Sequence, residues 1–243
     1  MPAENPFPWL PRESVNALYP WLRHGYIWMS WFLDSVLLRW RLMRSITAPC
    51  PTEGRGVIAS GKVSAVNTGY SIPKRQVEGA WVTKFGLVGD SQKQPYIRNW
   101  GGHGGFDKAI MLWSSEIIDL VNKEGQACFP GSSGEQLTLS GIDWTLMNTG
   151  VLLEVGSSVV LEVTYLKGPC LNQDAYFPTQ IYIPGDNNGK LFPGRLRISP
   201  KRFEGVSRIH TRVLRTGFVN KGDIVRVFQH PSGRQETKII DSS

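Results

Sequence analysis

The stretch VLLEVGSSVVLEVTYL, residues 151–166, constrains the fold more than any other part of the chain. Two apolar runs flank the turn Gly156-Ser157-Ser158, the signature of a β-hairpin. In the second arm the alternation sets Val159, Leu161, Val163 and Tyr165 on one face, with Glu162 and Thr164 on the other. Similar runs recur. GVIASGKVSAVNTG alternates small and apolar residues, and GAWVTKFGLVGD reads as a strand ending in a glycine-rich turn. GDIVRVFQHPSGRQETKII reads as a further hairpin around Pro-Ser-Gly. One segment, SSEIIDLVNKEG, is clearly helical. Ser114 or Ser115 can cap it, Ile117, Leu120 and Val121 share a face, and Gly125 can end it. Many short strands with few helices predict a mixed, mainly β fold built on a closed or nearly closed barrel.

The first 45 residues differ in kind. They hold Trp9, Trp21, Trp28, Trp31 and Trp40, five of the nine tryptophans. GYIWMSWFLDSVLLRWRLM reads as a helix with Ser30, Asp34 and Arg41 near one side and an apolar remainder, so it needs a partner surface. Its uncharged run, residues 25–33, is far shorter than the roughly 20 residues of a membrane span. No basic region precedes a compact apolar core, which argues against a secretory signal. Three readings stand: packing on its own domain or across a homodimer, an interfacial helix on a membrane surface, or a cleaved organelle signal. The predicted organisation is a helical extension at 1–45, a Pro- and Gly-rich linker at 46–55, a barrel domain at 56–232, and a C-terminal strand and tail at 233–243.

The formal charge of +7 favours anionic partners without choosing among them. No RNP-type, zinc-finger or basic-helix pattern is present, so nucleic acid is not an expected partner. Cys50, Cys128 and Cys170 form an odd set without CxxC spacing, which predicts no disulfide framework and a reducing, cytoplasmic setting. His24, His103, His210 and His230 form no zinc signature.

Two stretches carry chemistry. In NWGGHGGFDKAI, residues 99–110, four glycines flank His103, and such a loop can aim backbone N–H groups at an anion, with Lys108 adding a donor. The same glycines also suit a tight loop with no ligand. In KGPCLNQD, Cys170 follows a strand end and Pro169 stiffens the approach. A lone cysteine is most often a small buried hydrophobe. Near Lys74, Lys108, Lys167 or His103 its thiolate would be favoured, and a thiolate suits soft metals and sulfur chemistry. Cys50, between two prolines, and Cys128, after the helix, read as structural. Lys74 and Arg75 gain interest only if they face the glycine loop. No GxSxG is present, so a Ser-His-Asp hydrolase has no support.

The order GKVSAVNTGYSIPK, GLVGDSQ, HGGFDKAI, FPGSSGEQLTLSGID, VLLEVGSSVVLEVTYLKGPC and RVLRTGFVNKGDIVRV resembles the MOSC domain family, named for the C-terminal part of molybdenum-cofactor sulfurases. The likeness is to the stand-alone bacterial type that reduces N-hydroxylated bases. It implies a β-barrel and a pyranopterin molybdenum cofactor. It further implies that Cys170 ligates molybdenum or carries a persulfide. His103, Gly104, Gly105, Asp107 and Lys108 would line the pocket, and Lys74 would meet the cofactor phosphate. A small N-hydroxylated substrate and a separate electron-donor protein follow from the same resemblance, since no flavin or haem motif is visible. Gln136 stands where the family has Asn, Gly150-Val151 where it often has Gly-Asp, and Lys167-Gly168 where Arg or Gln often precedes Pro-Cys. The first departure bears on a turn hydrogen bond, and the other two bear on the substrate pocket.

Overall fold

The structure, a computed structural model, describes residues 50–90, 104–185, 189–229 and 239–240. The chain divides into residues 1–48 and 49–243. The aromatic N-terminal extension lies outside the described residues, all of which belong to the second unit.

Along the chain run β1 (Val57–Thr68), β2 (Arg75–Val77), β3 (Gly79–Thr83), β4 (Gly86–Leu87) and β5 (Ile110–Ser114). Helix α1 (Ser115–Lys123) leads to β6 (Leu137–Ser140), β7 (Leu152–Val155), β8 (Val159–Lys167), β9 (Ile181–Tyr182) and β10 (Leu191–Phe192). The chain continues through β11 (Arg208–Arg215), β12 (Gly217–Asn220), β13 (Ile224–Phe228) and β14 (Ile239–Ile240). Seven strands close the predicted barrel, in the order β1-β13-β7-β8-β11-β5-β6 and back to β1. Strands β5 and β6 pair in parallel, which requires a crossover, and α1 lies in it. Strands β12, β3 and β4 form a separate small sheet, and β9 and β10 a short hairpin.

The barrel interior is filled by Val63, Leu112, Leu137, Leu139, Leu153, Leu161, Val163, Ile209 and Val225, each at most 1% exposed. Burial of each such side chain contributes about 1.5–3 kcal/mol. Among the described residues no helix is long and apolar enough to cross a membrane.

The β7–β8 hairpin forms as expected, with Val155 opposite Val159. Its second arm departs from simple alternation. Along β11, Thr211 pairs with Val163 but His210 pairs with Tyr165, so Thr164 is an extra residue in β8. One extra residue reverses the facing of everything beyond it. Before the bulge Val163 faces the core. After it Leu166 packs toward the core, and Tyr165, expected beside Val163, turns to the opposite face. Thr164 is held there by donating its hydroxyl to the His210 carbonyl at 2.9 Å and to the Asp107 carbonyl.

Helix α1 has the expected cap: the Ser114 hydroxyl accepts from the N–H groups of Glu116 and Ile117 at 3.1 and 3.3 Å. Its buried stripe is Ile117, Ile118 and Val121, while Leu120 is 39% exposed, because positions i, i+1 and i+4 meet the barrel. The C-terminal hairpin does not form. Both edges of β13 are taken, by β1 and β7, so β14 adds in parallel to β8.

Candidate functional site

The bulge creates a polar face on the barrel. Residues directly opposite in a ladder share a face. His210 lies opposite both Met111 and Tyr165, Arg208 opposite Lys167, and Arg212 opposite Glu162. The alternate residues Ile209 and Val213 of β11 belong to the core. Beyond Lys167 the chain leaves the sheet through Gly168 and Pro169 to Cys170.

Cys170 is half-buried and caps the 3-10 segment Leu171–Tyr176. The cap is reciprocal: the Gln173 N–H donates to the Cys170 sulfur, and the Cys170 N–H donates to Gln173 Oε1 at 3.0 Å. Gln173 is anchored in turn by donating its amide to the Ser133 hydroxyl. The Arg208 guanidinium lies beside the sulfur, near enough for their charges to interact. This guanidinium is fully buried, and it donates to the Ser133 carbonyl at 2.8 Å and to the Gly168 carbonyl. Burial lowers its pKa, and the neighbouring Cys170 and Glu135 act in the opposite sense. Arg208 Nε is buried without a hydrogen-bond partner.

Glu135 completes the cluster from the GEQLT turn. Its carboxylate accepts from the Gly131 N–H at 2.6 Å, the Thr138 hydroxyl at 3.1 Å and the Ser133 N–H at 3.2 Å. Burial outweighs these contacts and pushes its pKa up to about 7. A Cβ at Gly131, where φ is +89°, would sit 2.6 Å from the Lys74 carbonyl oxygen. Glycine is required for this close approach.

Lys74 lies against the same turn, its N–H donating to the Gly131 carbonyl at 3.0 Å. Its ammonium pairs with the buried carboxylate of Asp90. Asp90 also accepts from the Gln136 side-chain amide at 2.7 Å, and Gln136 Oε1 accepts from the Met111 N–H at 2.7 Å. Any phosphate at Lys74 therefore competes with Asp90.

Of the glycine-rich loop, His103 lies outside the described residues. Gly104 and Gly105 both adopt positive φ, +81° and +85°. With ψ at 168°, Gly105 occupies a region essentially closed to other residues. The Asp107 carboxylate pairs with Arg212 at 2.7 Å. The Lys108 ammonium lies 5.6 Å from the Tyr165 ring centroid, on the polar face. Cys170, Arg208, Gln173, Ser133 and Glu135 thus form one cluster, with Lys74 behind its turn and Lys108 farther along the same face.

Cys128 is buried and its thiol is pushed up to about 12, chiefly by burial, as a structural cysteine should be. Cys50 lies 3.0 Å from the Thr52 hydroxyl, beside Glu154. Among the described residues no three His, Cys, Asp or Glu side chains converge as a metal site. Sequence reasoning missed Arg208, Glu135 and Gln173. The available signal was RIHTRV, where Arg208, His210 and Arg212 recur at period two against Ile209, Thr211 and Val213.

These features belong to a barrel that presents one cysteine at a strand end. The chain is a member of the MOSC domain family, whose sequence model matches residues 101–226, just over half of it. Among solved structures it resembles the YUAD protein of Bacillus subtilis at 20% identity, covering 70% of this chain and 97% of that one with a TM-score of 0.56. It also matches YiiM from Geobacillus stearothermophilus at 21% identity, covering 72% and 79% of the two chains with a TM-score of 0.49. A search of curated proteins finds no match.

Does the cluster suit the cofactor of such a domain? A molybdenum held by a pterin dithiolene needs one soft protein ligand rather than a cage, and Cys170 offers one thiol. Arg208 adds a fully buried positive charge near that thiol. The residues present fit.

Proposed function

We propose that this protein holds the molybdenum cofactor through Cys170 and reduces small N-hydroxylated compounds. The observation that carries the reading is the half-buried Cys170 sulfur, held just past the end of β8 by the Gln173 N–H with the buried Arg208 guanidinium beside it. When bound, the cofactor supplies two-electron oxygen-atom chemistry: an N–OH group takes up two electrons and two protons to give N–H and water. Cys170 fixes the group in position. Arg208 supplies the fixed counter-charge for the thiolate, and Gln173 and Ser133 hold both in register. Lys108 places a cation on the same face for an anionic portion of the cofactor.

The test is turnover. Protein from a host that makes the cofactor, reduced chemically, is offered a hydroxylamine and an amidoxime, and the amine or amidine product is quantified. Product formation that disappears in Cys170→Ser is the expected result. A loaded protein that reduces neither compound sinks the reductase reading. Cyanide-labile sulfur on Cys170 without pterin would replace it with sulfur transfer.

A further inference from the structure

The segment GKLFPGRLRISPKRFEG, residues 189–205, carries five cations, Lys190, Arg195, Arg197, Lys201 and Arg202, against one acid, Glu204. Its sequence sums to +4 in a chain of net +7, but Arg195 and Arg197 are paired with Asp174 and Glu124, so the ledge itself carries less. Its location is set by two contacts. The β9–β10 hairpin pairs Ile181 with Phe192 and Tyr182 with Leu191. The first rung turns inward onto a small cluster with Ile183, Leu196 and Phe203. The second turns outward, leaving Tyr182 55% and Leu191 54% exposed. The 3-10 segment Gly194–Ile198 is tied to the one that Cys170 caps by an Arg195–Asp174 ion pair of 2.5 Å. Leu171, the residue after Cys170, is 69% exposed. The Arg202 guanidinium and the Lys190 ammonium lie 5.3 and 5.6 Å from the Phe192 ring centroid, which holds both charges at the ledge.

An exposed Leu–Tyr surface flanked by cations has the makeup of a protein interface, and the Arg195–Asp174 ion pair ties its segment to the one that Cys170 caps. We propose that this ledge docks an acidic redox protein, the reduced carrier whose two electrons the N–OH reduction consumes. The inference rests on the reductase reading. The charge of the ledge complements an acidic face, and its continuity with Cys170 brings the carrier to the thiol. Opposite charge steers encounter and raises association rates tenfold or more.

The experiment uses the loaded full chain and the variant K190E/R202E. Electrons come either from reduced flavodoxin, an acidic flavoprotein, or from reduced methyl viologen. The expected result is a loss of about tenfold or more in the flavodoxin-driven rate at low salt, shrinking as salt rises, with the viologen-driven rate unchanged. Equal loss with both electron sources, or loss with neither, overturns the docking proposal. Should the wild type turn over with neither flavodoxin nor viologen, the reductase reading has failed instead. Docking is then read from flavodoxin binding by titration calorimetry. Weaker binding by the variant supports the ledge. Unchanged binding, or binding of an RNA oligonucleotide through the same residues with none of flavodoxin, overturns it.

Discussion

Replacing Glu135 by Gln is predicted to flatten a pH dependence of stability that the wild type shows. The folded carboxyl titrates at about 7 against an ordinary 4.5, because it is fully buried. Below pH 4.5 it is protonated in both folded and unfolded chains and imposes no ionisation cost. As pH rises through the folded value, the stability carried by the neutral form is lost, about 3 kcal/mol in all. The substituted amide cannot ionise. It offers one acceptor oxygen where the carboxylate offers two, so the N–H of Gly131 or of Ser133 loses its partner at a pH-independent cost of about 1–3 kcal/mol. Urea unfolding of both proteins between pH 4.5 and 8 gives the difference directly, and other titrating groups cancel in it. That difference should move by about 3 kcal/mol in favour of the variant as pH rises. A difference that stays constant with pH would show that burial does not raise the Glu135 carboxyl.

Three further outcomes follow from single contacts. Arg208→Met leaves the Gly168 carbonyl without its donor, the Ser133 carbonyl with only the long Gln173 amide contact, and Glu135 without its neighbouring charge, so unfolding free energy should fall by about 3–5 kcal/mol, measured by urea unfolding. Ser114→Ala removes the cap of α1 and should cost about 1 kcal/mol, seen as a small drop in Tm. In native protein at pH 8, iodoacetamide should leave Cys128 unmodified, since its buried thiol titrates at about 12, and peptide mass mapping reads this out.

Local chemistry made part of this legible in advance. The β7–β8 hairpin follows from two apolar runs and a Gly-Ser-Ser turn. Helix α1 follows from Ser114 and a periodic stripe. The polar face followed from neither. It depends on one surplus residue, Thr164, defined only by pairing with β11, and pairing is a property of two distant segments. The burial of Arg208 is equally non-local: the carbonyls that satisfy it lie 75 and 40 residues away. The C-terminal hairpin failed for a similar reason, since β13 already had neighbours on both sides. Cys170 could be singled out from its strand-end position, but the Gln173 cap and the Arg208 charge beside it could not.

Everything proposed for the site depends on Cys170 anchoring the molybdenum cofactor. Metal and pterin analysis of wild type and Cys170→Ser, purified side by side from a cofactor-producing host, decides it. One molybdenum and one pterin per wild-type chain are expected, with loss of the metal in the variant. Wild-type protein without molybdenum, or a variant with unchanged metal content, would contradict the anchoring role.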